Sequence, residues 1–259
     1  MAEFWTEKSV VVSPDPQALA DAVAARLLQR LVKRSAAGKT THLVLTGGTI
    51  GTAVLRAAGE RSDRADVDWS AVHFWWGDER FVPRDSEERN ELGARRALLD
   101  RIDVPAENIH AMAASDDGID LDAAAAAYAA ELARFADGDQ AWPRFFVCFL
   151  GMGPDAHIAS LFPDRQEIQV TDRTVLPVRE SPKPPAERLT LTRPVINSSR
   201  CVWLVVSGTD KAAALGLALA GASYDFAPAA GAKGRKRTVF FVDEAASEKV
   251  PAELIDQEF

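Results

Sequence analysis

A glycine-rich turn in the middle of the chain places an acid and a histidine two residues apart. Gly151, Gly153 and Pro154 lead into Asp155 and His157. An imidazole has an unperturbed pKa of about 6.5 and can accept a proton at neutral pH. A neighbouring carboxylate can orient the ring and stabilise its protonated form. The pattern therefore indicates a carboxylate-assisted histidine of the kind that acts in acid–base catalysis.

Strand ends supply cations at two further places. Asp78, Glu79 and Arg80 directly follow a predicted buried strand. The planar guanidinium of an arginine suits a phosphate because it makes paired hydrogen bonds, although a local Asp–Arg salt bridge fits the same residues. Lys211 follows another predicted strand and stands near a helix start, where the helix dipole favours an anion rather than a lysine. Its position therefore indicates an anionic ligand.

Paired glycines precede a predicted helix near the start of the chain. Gly47 and Gly48 lie between a predicted strand and this helix and are followed by Thr49. Glycines allow a sharp turn that leaves backbone N–H groups free to face an anion at the helix N-terminus. A plain strand-to-helix turn fits these residues equally well.

The elements that must position these residues alternate along the chain. Short apolar runs predict buried strands at 42–46, 72–76, 145–151, 201–207 and 239–243. Apolar side chains at three- and four-residue spacings predict helices at 15–33, 50–58, 92–100, 121–135 and 210–220. This alternation is typical of a parallel α/β sheet covered by helices on both faces. We expect one domain over residues 1–259, with ligands at the C-terminal ends of the strands.

Three other histidines and both cysteines are expected to be structural. His42 and His73 open predicted strands at the end opposite the ligand edge, and His110 lies in a loop. Cys148 and Cys201 lie in apolar runs and indicate two buried free thiols. Their spacing indicates no metal or redox site.

Composition argues against nucleic-acid and membrane partners. The chain carries 30 basic and 38 acidic side chains, and the resulting net charge of −8 repels nucleic-acid backbones. No run of about 18 apolar residues predicts a membrane span. The N-terminus, with Glu3 and Glu7 around Phe4 and Trp5, lacks the features of a signal peptide. We therefore expect a cytoplasmic protein.

Two segments are expected to be loops. Residues 180–187 are rich in proline and must be extended or turned. Residues 221–237 are rich in small side chains and end in four cations, which we expect to form a solvated surface. These cations are Lys233, Arg235, Lys236 and Arg237.

Four stretches resemble motifs of one known family. Residues 151–163, GMGPDAHIASLFP, resemble the pattern GxGxDGHTASLFP of the glucosamine-6-phosphate isomerase/6-phosphogluconolactonase family. GDERFVP at 77–83 with Asn90 behind it, ERLTLTRPVIN at 187–197 and VSGTDKAAAL at 206–215 resemble further family motifs. The matches follow the family's order over most of the chain, which is more specific than any single match.

The resemblance implies a fold, a reaction and a site. The fold is a single Rossmann-like α/β domain with a mainly parallel sheet flanked by helices. The reaction is the metal- and cofactor-independent hydrolysis of 6-phospho-D-glucono-1,5-lactone to 6-phosphogluconate in the oxidative pentose phosphate pathway. By position, His157 is expected to be the general base and Asp155 its partner. The expected phosphate and sugar site consists of Gly47, Gly48, Thr49, Asp78, Arg80, Arg188 and Lys211. A sugar-phosphate lactone is the expected small-molecule partner of a monomer or weak homo-oligomer.

The chain departs from the family pattern at several positions. Its first loop reads GGTIG where the family usually has GGSTP, and Ala156 and Ile158 replace the usual Gly and Thr. Arg89 stands where Ser often precedes the Asn. Ala156 matters only if that residue needs a positive φ, which alanine tolerates poorly. None of these changes touches the acid, the histidine or the cations expected at the site.

Two other functions fit parts of the pattern. Glucosamine-6-phosphate deaminases/isomerases typically have an acidic residue shortly after the histidine and a Tyr where Arg80 stands. Ile158 leans toward that pattern, but residues 160–163, SLFP, lack the carboxylate. A non-catalytic sugar-phosphate sensor would keep the cations but could dispense with the acid and the histidine, and the sequence shows no DNA-binding module. Lactone hydrolysis is the favoured interpretation.

Overall fold

Nine strands and seven α-helices form the part of the chain, residues 7–256, that the computed structural model describes. The strands are β1 (Glu7–Ser13), β2 (Thr41–Leu45), β3 (Val72–Trp76), β4 (Asp78–Arg80), β5 (Phe145–Leu150), β6 (Val175–Val178), β7 (Arg188–Leu191), β8 (Cys201–Val206) and β9 (Arg237–Asp243). The helices are α1 (Pro16–Ala36), α2 (Gly48–Glu60), α3 (Asn90–Ala97), α4 (Leu121–Arg134), α5 (Arg193–Asn197), α6 (Ala212–Leu219) and α7 (Glu244–Ser247).

Six of these strands form one parallel sheet in the order β1-β9-β8-β5-β2-β3. The interior strands are buried almost without interruption, because both faces of a parallel sheet are covered, and this explains their continuous apolar runs. From β2 the chain moves outward to β3 and then returns past β2 to β5. The direction of winding therefore reverses between β2 and β5, the place where open α/β sheets bind their ligands.

The predicted fold class is confirmed, and all five predicted strands are present to within two residues. The sequence patterns missed β1, an edge strand whose neighbour in the sheet is β9 and which has a short apolar run between polar residues. They also missed a second, antiparallel sheet in the order β4-β7-β6. Its strands span three or four residues, which is too short for a hydrophobic period to show.

Local signals explain where the longest helix begins and which face it buries. The Asp15 side chain accepts a hydrogen bond from the Ala18 backbone N–H at 2.8 Å, and Pro16 occupies the first turn, where its missing N–H costs nothing. Leu19, Val23 and Leu27 then repeat at helical spacing and are fully buried. They join a hydrophobic core that includes side chains of the interior strands.

The expectations for the cysteines, for membrane spans and for a signal peptide can also be compared with the structure. Cys148 and Cys201 are buried and free, as predicted. Across residues 7–256, no helix is long and apolar enough to cross a bilayer. The expectation of no signal peptide rests largely on residues 1–6, which lie outside the described residues.

Candidate active site

A cleft of about 620 Å³ lies over the C-terminal ends of β2, β3, β5 and β8. Thr46 and Gly151 stand on either side of the point where the winding reverses, and the Gly151 N–H donates to the Thr46 Oγ1 at 3.2 Å. The second sheet contributes Asp78 and Arg80 from β4 and Arg188 from β7. The cleft therefore combines residues from loops that are far apart in sequence.

The predicted acid–histidine pair is formed in this cleft. The Asp155 Oδ1 and the His157 Nδ1 are 2.6 Å apart, and the ring of His157 packs at a tilt on Phe162, with 4.6 Å between ring centroids. His157 lines the cleft, whereas Asp155 lies behind it. If Nδ1 carries the proton and donates it to the carboxylate, Nε2 keeps the lone pair that a base requires.

The backbone of the turn explains its glycines and one departure from the family pattern. A Cβ on Gly153 would come within 2.0 Å of the His157 Nδ1 and 2.3 Å of the Asp155 Oδ1, so only glycine allows the pair to form. Ala156 has a φ of 65°, the left-handed conformation that glycine adopts more readily. The alanine that replaces the usual glycine therefore carries backbone strain directly beside His157.

Lys183 is a further charged residue of this site that the sequence analysis did not identify. Its Nζ lies 3.3 Å from the Asp155 Oδ1 and 3.4 Å from the His157 Nδ1. The sequence shows only a proline-rich segment here, and the one available signal was a single lysine between its prolines. Tertiary structure brings this loop over the end of β5.

The charges of this group hold Asp155 in its ionised form. Burial opposes ionisation of the carboxyl, but the hydrogen bond from His157 and the nearby charges of His157 and Lys183 outweigh it. The pKa of Asp155 is consequently well below its usual value. Asp155 thus remains an anion, able to orient His157, throughout the physiological pH range.

Arg188 is buried beneath the loop that carries Lys183. Its Nη2 donates to the Lys183 backbone carbonyl at 3.1 Å and to that of Pro184 at 2.8 Å, and its Nε donates to the Pro185 carbonyl at 3.2 Å. Its Nη1 lies 4.0 Å from the Asp78 carboxylate. Arg188 lines the cleft as predicted, but most of its donors anchor the loop.

Asp78 faces Arg188 from the short strand β4 and is almost fully buried. Its Oδ2 accepts a hydrogen bond from the Ser160 Oγ at 2.7 Å. An anionic carboxylate repels a phosphate, so the contacts of Asp78 suit the placement of Ser160 and Arg188 rather than direct contact with a phosphate. Ser160 is itself fully buried.

The glycine turn after β2 lies at the opposite wall of the cleft. A Cβ on Gly47 would overlap the Asn90 side chain, whose Oδ1 would be only 1.8 Å away. Gly48 has a φ of 77°, and with Thr49 it presents the N-terminal end of α2 to the cleft. A helix N-terminus with free N–H groups attracts an anion.

Arg80 and Lys211 add positive charge to the lining of the cleft. Arg80 donates from Nη1 to the Glu88 backbone carbonyl at 2.8 Å, while its buried Nε has no hydrogen-bond partner among the described residues.

Lys211 follows β8, and its Nζ contacts the Asp210 carboxylate at 2.8 Å. The Asp243 carboxylate accepts hydrogen bonds from the Ser207 hydroxyl and the Gly208 N–H, which fixes this loop at the end of β8.

Arg89, another departure from the family pattern, is a structural residue. It is almost fully buried and donates from Nη2 to Glu91 at 3.1 Å and to the Met112 carbonyl at 2.7 Å. It also lies 3.9 Å from Glu79, which accepts hydrogen bonds from the backbone N–H groups of Asn90 and Glu91. Burial raises the pKa of Glu79 to about 7, against the lowering effects of Arg89 and the N–H donors. The network holds the start of α3, and with it Asn90, against Gly47.

The sequence matches the model of one family over most of its length. The model for glucosamine-6-phosphate isomerases/6-phosphogluconolactonase matches residues 14–241. The chain belongs to this family. The predicted membership is thereby confirmed, and the match includes all the residues expected at the site.

Curated relatives in the same family are similar along nearly their whole length. The chain is 47% identical over 249 residues to the 6-phosphogluconolactonase of Streptomyces coelicolor, covering 95% of each chain. It is 46% identical over 246 residues to the 6-phosphogluconolactonase of Mycobacterium tuberculosis, covering 94% of this chain and 99% of that protein.

Solved structures of the family share the fold. The 6-phosphogluconolactonase of Thermotoga maritima has a TM-score of 0.78 at 27% identity, covering 92% of this chain and all of that one. The enzyme of Trypanosoma brucei has a TM-score of 0.79 at 26% identity, covering 95% of this chain and all of that one. A monomeric glucosamine-6-phosphate deaminase, at 19% identity and a TM-score of 0.75 over 93% of this chain and 99% of that one, shares the fold alone.

Proposed function

We propose that the protein hydrolyses 6-phospho-D-glucono-1,5-lactone to 6-phosphogluconate, the lactone-opening step of the oxidative pentose phosphate pathway, with His157 as the general base. The observation that carries the proposal is the Asp155–His157 pair at the edge of a cleft with cationic walls. The two curated relatives described above bear the name of this activity. A lactone needs an activated water, and its phosphate needs cations, and the cleft offers groups of both kinds.

The reaction assigns one task to each part of the site. The Nε2 of His157 removes a proton from water as the water oxygen bonds to C1 of the lactone. Asp155 holds the ring through Nδ1, and Lys183 pairs with Asp155. The C1–O5 bond then breaks, and the protonated imidazole returns its proton to the departing ring oxygen. No cofactor or metal takes part in this proposal.

Phosphate binding is assigned to the far wall of the cleft. The N-terminus of α2, with Gly47, Gly48 and Thr49, offers backbone N–H groups, and Arg80 and Lys211 offer positive charge. In this proposal Arg188 and Asp78 act through the loop and side chains that they hold. Binding the remote phosphate positions C1 next to His157, and such positioning lowers the barrier of the chemical step.

A covalent serine mechanism fits the geometry poorly. Ser160 is fully buried and donates its hydroxyl to Asp78, which leaves its oxygen away from the lining of the cleft. Activation of water by His157 requires no such rearrangement.

The experiment that tests the function is a lactone-hydrolysis assay. 6-Phosphogluconolactone is generated in situ, the spontaneous rate is subtracted, and glucono-1,5-lactone is assayed in parallel. We expect rapid turnover of the phosphorylated lactone and much slower turnover of the unphosphorylated one. The proposal is wrong if both lactones are hydrolysed no faster than the spontaneous rate. Release of ammonia from glucosamine 6-phosphate would then support the deaminase alternative.

The proposal includes the state of the enzyme in the cell. A single domain spanning residues 1–259 acts in the cytoplasm as a monomer or weak homo-oligomer. The cleft supports the proposed oligomeric state, because a single chain contributes the base, its partner and the cations. Sedimentation at increasing concentration tests the oligomeric state, and a stable high-order assembly would contradict it.

A further inference from the structure

A second cleft, of about 660 Å³, lies at the opposite edge of the parallel sheet. Its walls come from the end of α1, the start of β5, the end of α5 and the segments that lead into β8 and β9. All the strands concerned begin here, so this cleft and the candidate active site are separated by the length of the sheet. Six cations line it: Arg34, Arg144, Arg200, Lys233, Arg235 and Lys236.

Four of these six cations lack partners within the described part of the chain. The side chains of Arg200, Lys233, Arg235 and Lys236 are exposed and make no hydrogen bond or ion pair among residues 7–256. No carboxylate of this part of the chain lines the cleft. Such a concentration of positive charge is unexpected in a protein whose net charge is −8.

The remaining two cations are held in place at the edge of the cleft. Arg34 donates from Nε to the Thr41 hydroxyl at 2.6 Å, and its guanidinium lies over the ring of Phe146 at 4.4 Å. Arg144 pairs with Asp137 at 2.9 Å. The Phe146 ring gives the cleft an apolar wall beside the charges.

The segment that carries three of the free cations has a defined backbone. The Lys233 N–H donates to the Asn197 Oδ1 at 2.9 Å, and the Arg235 and Lys236 N–H groups donate to the carbonyls of residues 199 and 200, both at 2.9 Å. A Cβ on Gly234 would come within 2.3 Å of the Arg237 carbonyl oxygen, so glycine is required for this close approach. The cations lie in a loop and are exposed, as the sequence predicted, and the hydrogen bonds of its backbone fix the turn that carries them.

Like charges at this edge of the sheet affect one another. Burial, and after it the charge of Arg200, lowers the pKa of Arg34. Burial, and after it the charge of Lys233, lowers the pKa of Lys8, which lies at the same edge in β1. An anion bound in the cleft would relieve this repulsion.

We propose that this second cleft binds a small molecule that carries two or more linked phosphate groups. Its volume is within the range of small-ligand sites. Four free cations exceed what a single phosphate requires, and guanidinium groups bind phosphates through paired hydrogen bonds. The acidic remainder of the protein disfavours a long nucleic acid, which would extend beyond the cleft.

Calorimetric titration of the full chain tests this proposal. The probes are inorganic pyrophosphate, tripolyphosphate, ATP without magnesium, orthophosphate and a 20-base-pair DNA duplex. We expect pyrophosphate and tripolyphosphate to bind at least about tenfold more tightly than orthophosphate, and less tightly as salt rises. ATP binding tighter than that of tripolyphosphate would identify a nucleotide as the ligand, whereas equal binding would identify the phosphate chain alone.

Matched variants locate the bound anion. The double variant Arg200→Gln/Arg235→Gln should weaken pyrophosphate binding at least about tenfold. The variant Arg56→Gln/Lys249→Gln removes the same charge from exposed positions elsewhere and should bind like the wild type. Because all four positions are exposed, unchanged melting temperatures are expected and are measured first.

A third variant separates the two clefts. Lys211→Gln weakens an anion site in the candidate active site and should leave tight pyrophosphate binding intact. Three results would each overturn the proposal: binding that Lys211→Gln abolishes and the double variant does not, binding of the duplex without pyrophosphate, or no heat of binding with either linked phosphate. None of these measurements depends on lactone hydrolysis, so the two proposals fail separately.

Discussion

Histidine occurs in two contrasting settings in this protein. His157 stands in the cleft at the C-terminal edge of the sheet, with its side chain 17% exposed and Nδ1 held by an anion. His42, His73 and His110 instead stack on one another toward the other end, with 4.6 Å between the ring centroids of the first two and 5.3 Å between those of the last two. The same side chain is therefore offered to a ligand in one place and packed as an aromatic ring in the other.

The stack belongs to an aromatic cluster. The ring of His110 lies 3.7 Å from that of Trp75, nearly parallel to it, and its Nδ1 contacts Glu131 at 2.8 Å. The Trp75 Nε1 donates to the His42 Nδ1 at 3.1 Å. Burial, followed by electrostatic interactions with the other two histidines and Arg34, lowers the pKa of His42 to about 3.

The comparison shows that burial separates the two settings, because both His110 and His157 have a carboxylate at Nδ1 and only His157 lines a cleft. Burial also lowers the pKa of His73 and of His110, so the stack remains neutral and packs like a core. His157 has an ionised carboxylate behind it and an open cleft in front of it. Only the second setting combines an open cleft in front of the ring with a carboxylate that orients it.

The largest expected effect comes from removing the candidate base. His157→Asn should reduce kcat by about 10²–10⁴-fold, because general-base assistance typically contributes that much. Steady-state lactone hydrolysis measures the loss, and thermal melting verifies that the fold is intact. His73→Asn is the matched control, and its kcat should remain near that of the wild type. Equal kcat in the two variants would remove His157 from the mechanism.

Removing the carboxylate behind the base should have the next largest effect. Asp155→Asn keeps the shape of the pair but removes the negative charge beside Nδ1, and kcat should fall by about 10²-fold, the lower end of what general-base assistance contributes. Since Asp155 lies behind His157 and does not line the cleft, KM should change little. A variant that raises KM and leaves kcat intact would instead make Asp155 a binding residue.

The histidine stack should appear in the pH dependence of stability. The pKa of His42 is about 3 in the folded state and about 6.5 in the unfolded chain, so between these pH values the unfolded chain binds the extra proton. The free energy of unfolding should therefore fall as the pH falls below about 6.5, by up to about 1.4 kcal/mol per pH unit from this group. Above that pH the contribution is constant.

Denaturant titrations between pH 8 and pH 5 measure this slope. His42→Gln retains an acceptor for the Trp75 N–H and should flatten the slope. The exposed substitution Lys249→Gln is the control and should run parallel to the wild type. A slope that His42→Gln leaves unaltered would show that His42 does not titrate differently in the two states.

The smallest expected effect concerns backbone strain beside the base. Ala156 has a φ of 65°, and Ala156→Gly should raise the free energy of unfolding by about 1 kcal/mol because glycine adopts this conformation without a clash. Ala127→Gly, at an exposed position in the middle of α4, should lower it by about 1 kcal/mol. Chemical denaturation of both variants measures the difference, and destabilisation by both would show that the turn carries no relievable strain.

Patterns within single segments predicted much of this molecule. Continuous apolar runs located the four strands that end at the cleft, β2, β3, β5 and β8, and also β9, which pairs with β8. A strand that is buried on both faces must be apolar throughout. The loops after these strands were identified from glycines and charges alone. The short strands β4, β6 and β7 escaped, since each is defined by a hydrogen-bonded partner rather than by a period of its own.

The assignment of side chains within the site depended more on neighbours. Lys183 joins Asp155 only because the loop between β6 and β7 crosses the end of β5, and a proline-rich segment contains no sign of its destination. Arg188 was expected at the ligand, and it does line the cleft, but its hydrogen bonds hold that loop. The basic turn at 233–236 was expected to be a solvated surface, and its side chains are exposed. Only the tertiary structure shows that its backbone is fixed by hydrogen bonds and that it forms a wall of a cleft.

The sequence by itself determined the fold class, the family and the residues that follow each strand, because hydrophobic periodicity and local motifs act over short stretches of chain. Tertiary structure alone decided which charges meet, which histidine is accessible and which alanine is strained. Those properties depend on burial and on distances between residues that are far apart in the sequence, such as Thr46 and Gly151 or Asp155 and Lys183. Both the pKa of a side chain and the affinity for an anion are set by these distances, and a linear pattern does not contain them.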